Sequence, residues 1–175
     1  LKRKQVRVEF TRQSDRTIKL VDRAKIANVH PEALFVSIHH NASTNASPHG
    51  VETYYADSKS DSVMRAQRLY FKLSEDVSFL DRRGQLLAKY VQEAFCFATD
   101  ALDRGIRPRR LAMTRWVSCP AILVECGFLS NAEECAKLKS KEYRSQLSVG
   151  IAKGILNFLN EVEGDPYYGV EFENE

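Results

Sequence analysis

Short apolar runs that end on a polar residue punctuate the chain. Leu34-Phe35-Val36-Ser37-Ile38 leads into His39-His40-Asn41, and Ala121-Ile122-Leu123-Val124 leads into Glu125-Cys126-Gly127-Phe128. Runs of this length between turn residues predict buried strands, most often parallel ones covered on both faces. Alternation of Val6, Val8 and Phe10 predicts a further strand over Gln5 to Thr11, and Val51, Thr53 and Tyr55 predict another. Helical spacing appears between them. Leu20, Ala24 and Ala27 predict a helix over Thr17 to Asn28, and Val63, Ala66, Leu69 and Leu73 one over Ser62 to Leu73. Leu86, Leu87, Tyr90, Val91, Ala94, Phe95 and Ala98 form the clearest stripe, on a helix over Gln85 to Leu102. Gly105 and Pro108 break that pattern, and a short strand is expected around Leu111 to Met113.

Asn131 with Glu134 reads as an N-terminal capping pair for a short helix. Tyr143, Leu147, Ile151, Ile155 and Leu159 then predict a long final helix, closed by Gly164-Asp165-Pro166. Strands alternating with helices give an α/β class: a twisted, mainly parallel sheet with helices on both faces. The expected organisation is one domain over 1–162 and an acidic tail, 163–175, expected to be disordered.

The 175 residues, 43% hydrophobic and 28% charged, suffice for one domain with a sizeable core. A net charge of +3 and a pI near 8.7 suit an acidic polymer or substrate. The basic residues Arg104, Arg107, Arg109 and Arg110 are not interleaved with aromatics, which argues against nucleic acid as a partner. Cys96, Cys119, Cys126 and Cys135 contain no C-x-x-C pair, which leaves reduced core thiols or one or two disulfides. No stretch is long and apolar enough to span a membrane. Residue 1 is Leu, so the start reads as truncated or processed, and a missing signal peptide carries little weight.

In an open α/β sheet, ligands collect at the carboxyl ends of the strands. His39 ends one strand and is the better metal candidate of the His39–His40 pair, since adjacent strand residues face opposite ways. Glu125 ends another; a carboxylate there is costly to bury unless it is ion-paired or used in chemistry. Ser37 lacks a nucleophile elbow and is expected to point away from His39's neighbours. Cys126 reads as an inert buried thiol. The Asn41-Ala42-Ser43 and Asn45-Ala46-Ser47 triplets read as accidental glycosylation matches.

Five ordered segments together resemble the zinc-dependent N-acetylmuramoyl-L-alanine amidases that cut cell-wall peptidoglycan. They are Thr11-Arg12-Gln13-Ser14-Asp15 with Leu20, Arg23 and Ala27-Asn28; Ser37-Ile38-His39-His40-Asn41-Ala42; Gly50 to Tyr55; Arg104-Gly105-Ile106; and Pro120 to Asn131. The resemblance runs from about Val6 to Leu159. It implies a zinc ion and hydrolysis of the amide between the N-acetylmuramic acid lactyl group and L-alanine. Position by position, it implies His39 as a zinc ligand, Glu125 as the catalytic carboxylate and Asn41 as a substrate contact. It further implies a periplasmic or secreted setting, peptidoglycan as partner, and room for an activator protein.

The departures from that pattern are specific. The family's other two zinc ligands, a histidine and a glutamate, precede the T-R segment and have no counterpart here, and one ligand cannot hold a catalytic zinc. His49 and Glu52 are not expected to replace them. The stretch from about Asp57 to Arg83 lengthens a connection and reads as an extra surface helix or a regulatory lid. Cys126 stands where the family commonly has threonine. The competing readings are a catalytically inactive wall-binding or interaction fragment that has lost zinc, and a zinc hydrolase acting on another amide.

Overall fold

A computed structural model describes residues 6–57 and 77–163. In chain order the elements are α1 (Leu20–Asn28), β1 (Phe35–Asn41), β2 (Val51–Tyr55), α2 (Val77–Thr99), β3 (Asp103–Pro108), α3 (Ala112–Arg115), β4 (Ala121–Phe128), α4 (Ala132–Lys139) and α5 (Lys141–Glu161). The strands form one sheet in the order β1-β4-β2-β3. β1 runs parallel to β4 and β2 parallel to β3, while β2 meets β4 antiparallel. The sheet is therefore mostly parallel, as the apolar runs predict.

Helices cover both faces. On one, Val51, Ile122, Val124 and Cys126 pack with Leu87, Val91 and Phe95 of α2 and Leu147, Ile151 and Phe158 of α5. Glycine makes the closeness of those two helices possible. A Cβ on Gly150 would stand 2.9 Å from the Phe95 Cα, and one on Gly154 would overlap the Val91 Cα. On the opposite face Ala24 of α1 and Met113 of α3 pack with Val117, Cys119 and Ala121, a smaller cluster. Asn28 ties α1 to the approach of β4: its Nδ2 donates to the Trp116 carbonyl at 2.9 Å and its Oδ1 accepts from the Ser118 N–H at 2.8 Å.

Three expectations need correction. Residues 6–10 form no strand, and Val8 and Phe10 are 42% and 67% exposed. Their alternation supplies an apolar face, but no described strand pairs with their backbone, and a strand needs that ladder. The last strand before β4 is Asp103–Pro108, whereas Ala112–Arg115 make a helical turn capped by Leu111. Gly105 and Pro108 thus belong to a strand they were expected to interrupt: Gly105 has φ +82°, and Pro108 ends a strand at the sheet edge, where a missing N–H is tolerated. Ser37 lies two residues before His39 on β1 and so shares its face. The helix expected over Ser62 to Leu73 lies outside the described residues, as does the tail beyond residue 163. No described helix is long and apolar enough to cross a membrane.

Candidate active site

The sheet register brings the two residues together, although neither ends its strand as expected: β1 continues through His40 to Asn41 and β4 through Cys126 to Phe128. His39 of β1 is the direct partner of Glu125 on β4, and Glu125 is in turn the direct partner of Glu52 on β2. By strand alternation all three lie on the face carrying Phe35 and Ala121, opposite the α2–α5 core. His39 and Glu125 are therefore neighbours, as predicted from their positions at the ends of apolar runs.

Their environments differ sharply. The Glu125 Oε2 is buried and receives no hydrogen bond. Burial, and then the nearby Glu52 charge, push its pKa up to about 7, against a smaller downward pull from Arg109. Glu52 is 3% exposed yet richly supplied with donors. Its Oε1 accepts from the Asn41 Nδ2 at 2.8 Å and the Tyr54 hydroxyl at 2.5 Å. Its Oε2 faces the Nε of Arg104 at 3.4 Å and of Arg107 at 3.8 Å. One carboxylate is fixed by its partners, and the other has a buried oxygen that accepts no hydrogen bond.

His39 is exposed, and its pKa is lowered by desolvation of the ring, then by the charges of Arg23 and His40. A neutral imidazole is the form that binds metal. Catalytic zinc nevertheless takes three protein ligands. Among the described residues no group of three or more histidine, cysteine, aspartate or glutamate side chains is placed to hold a metal ion. The described residues thus offer such an ion His39 but do not complete its ligand set.

Asn41 lies beside the site, but its side chain is engaged: besides Glu52 it accepts from the Ala42 N–H at 2.8 Å. Cys126, on the other face of β4, is buried, and burial and then the Glu125 charge push its thiol up to about 12, in keeping with an inert side chain. All four cysteines are free.

Sequence reasoning passed over Glu52 and the arginines around it. Glu52 alternates with Val51 and Thr53, which by pattern alone suggests a solvated face. The available signal was the intact Gly50-to-Tyr55 segment, which holds an acid between apolar positions. Glu134 is a second such residue. As expected, Asn131 caps α4 by accepting from the Glu134 N–H at 3.1 Å. The Glu134 carboxylate, however, turns inward and accepts from the Gly50 N–H at 2.8 Å and the Phe128 N–H at 2.6 Å. It clamps the start of β2 to the end of β4, the two strands that carry Glu52 and Glu125.

His39 and Glu125, paired in register on one face of the sheet, make up the candidate site. The profile of the family described as N-acetylmuramoyl-L-alanine amidase matches residues 1–157, and the chain belongs to that family. An endolysin of Bacillus phage SPP1 is 33% identical over 159 residues, which are 90% of this chain and 52% of that protein. The amidase LytC of Bacillus subtilis is 26% identical over 85% of this chain and 26% of its own length. Among solved structures, the catalytic domain of CwlV from Paenibacillus polymyxa superposes with a TM-score of 0.70 at 32% identity, covering 89% of this chain and 74% of that one. An amidase from Clostridium difficile 630 gives 0.69 at 33% identity, covering 85% and 69%. The chain thus spans about half or less of the first two curated relatives.

Proposed function

We propose that this chain is the catalytic part of a zinc-dependent peptidoglycan amidase that acts outside the cytoplasm, hydrolysing the bond between N-acetylmuramic acid and L-alanine of the stem peptide. The observation that carries this reading is Glu125: a carboxyl with a buried, unpartnered oxygen, pKa near 7, next to His39. A group poised near neutral pH can both accept and return a proton. Glu125 takes a proton from water as the water oxygen attacks the amide carbonyl carbon. It then delivers that proton to the alanine nitrogen as the carbon–nitrogen bond breaks, leaving a carboxylic acid and a free amine. Glu52 stays in place through three hydrogen bonds and its ion pair with Arg107, and keeps the Glu125 carboxyl basic by like-charge repulsion. His39 is the donor that the described residues offer a zinc ion. Asn41 is the candidate substrate contact at the edge of the site, with its Nδ2 donating to Glu52.

The second reading, an inactive wall-binding fragment of the same fold, is favoured by the absence of a three-donor group among the described residues. Metal analysis and turnover decide between them. The amidase reading expects zinc in the purified full-length protein and release of L-alanine-terminated peptides from muropeptides; full-length protein that is metal-free and binds sacculi without cutting them supports the fragment.

A further inference from the structure

Arg104 and Arg107 lie three positions apart, so a regular strand would aim them at opposite faces. They nevertheless reach the same carboxylate oxygen of Glu52. The cause is a register shift: β3 pairs Asp103 with Val51 but Ile106 with Thr53, so Arg104 and Gly105 together oppose Glu52. This is a bulge, with Gly105 supplying the left-handed backbone at φ +82°. Arg109 joins them on that side. Its N–H extends the ladder to the Tyr55 carbonyl at 2.9 Å, and its guanidinium lies 4.9 Å from the Tyr54 ring centroid.

The outcome is three guanidiniums gathered on the Glu52 side of Glu125, of which Arg104 also donates to the His49 carbonyl at 3.3 Å and lies 4.9 Å from the Phe128 ring centroid, while Arg107 donates to the Arg104 carbonyl at 3.3 Å. Arg104 and Arg107 share a single buried carboxylate oxygen at 3.4 and 3.8 Å, well beyond the roughly 2.8 Å of a tight charge-assisted bond. The Arg107 side chain is 54% exposed, so its guanidinium borders both Glu52 and solvent. Arg109, also exposed, makes itself felt at Glu125 itself. Guanidinium forks match planar carboxylates, so a peptide carboxylate is the group this cluster would recognise.

We propose that Arg104, Arg107 and Arg109 form a carboxylate-binding wall beside Glu125 that prefers a peptide substrate carrying a free carboxylate near the scissile amide over its carboxamide counterpart. The proposal rests on the amidase reading for the substrate's identity, but not for the binding chemistry.

The test compares two synthetic muramyl dipeptides that differ only in a free or an amidated C-terminal carboxylate, with the released dipeptides titrated calorimetrically in parallel. The wall predicts about a tenfold preference for the acid in kcat/KM and in peptide affinity. The preference shrinks as salt rises from about 0.05 to 0.5 M, because Arg107 and Arg109 are exposed. It falls towards one in Arg107→Ala and Arg109→Ala and is partly restored in Arg107→Lys. Equal handling of acid and amide by the unaltered protein overturns the proposal, as does a preference indifferent to salt and to both alanine variants. If neither substrate is cut but the acid peptide alone binds in the predicted way, the wall stands and the amidase reading falls.

Discussion

Two glutamates face each other across β2 and β4, and their surroundings give them different jobs. Glu52 has donors on both oxygens, whereas the Glu125 Oε2 has none. Glu125→Gln keeps the size and removes the proton chemistry, so turnover of muropeptide is expected to fall by at least about a hundredfold with the circular dichroism spectrum unchanged. A variant retaining a tenth of the activity would remove Glu125 from the reaction. Glu52→Ala acts differently, stranding the Tyr54 hydroxyl and the Asn41 amide and leaving Arg104 without its carboxylate. It is expected to cost about 3 kcal/mol in urea unfolding, the range for breaking a buried, hydrogen-bonded ion group. His39 and Glu125 were legible in the sequence because both end apolar runs. Glu52 was not, because its importance comes from a neighbour strand supplied by the fold.

At the scale of elements, the central strands and long helices follow their patterns closely, since burial on both faces leaves period and length to decide them. The ends and the edge do not. Val6, Val8 and Phe10 alternate as a strand would, yet only pairing makes a strand. Gly105 and Pro108 look like breakers, yet at an edge a bulge and a proline are tolerated. The bulge gives a direct prediction. Gly105→Val forces a β-branched residue to φ +82°, which is expected to cost about 1–2 kcal/mol and to unseat Arg104 from Glu52. A Cβ at this position meets nothing within 4 Å, so loss of stability measured by denaturant reports backbone conformation and not a clash. At Gly154 the cause is reversed. Gly154→Leu drives a side chain into the Val91 backbone, and separation of α2 from α5 is expected to cost about 3 kcal/mol or prevent folding. An unchanged melting temperature would mean that the two helices are not held this closely.

For the whole molecule, the same carboxyl links activity and stability with opposite signs. Glu125 holds its proton up to about pH 7 in the fold, against an ordinary carboxyl value of 4.5. Below about pH 4.5 the group is protonated folded or unfolded and makes no difference to stability at fixed pH relative to a neutral glutamine. Between the two values only the unfolded chain ionises, so this group's contribution to stability declines as pH rises, and above about 7 the full cost of a charged, poorly solvated carboxylate is present. The shift is worth about 3 kcal/mol if fully realised, and partial exposure reduces it to about 1–2 kcal/mol. Glu125→Gln is therefore expected to match the unaltered protein's unfolding free energy near pH 4 and to exceed it by about 1–2 kcal/mol at pH 8. Activity moves the other way. The ionised carboxylate is the form that accepts water's proton, so kcat/KM should rise about tenfold from pH 6 to 8 with a midpoint near 7. Parallel denaturant titrations and initial rates across that interval test both limbs. If Glu125→Gln gains no stability at pH 8 while the rate still rises, the midpoint belongs to another group. If neither changes, Glu125 is an ordinary solvated carboxylate, and its unpartnered oxygen is not what sustains the chemistry.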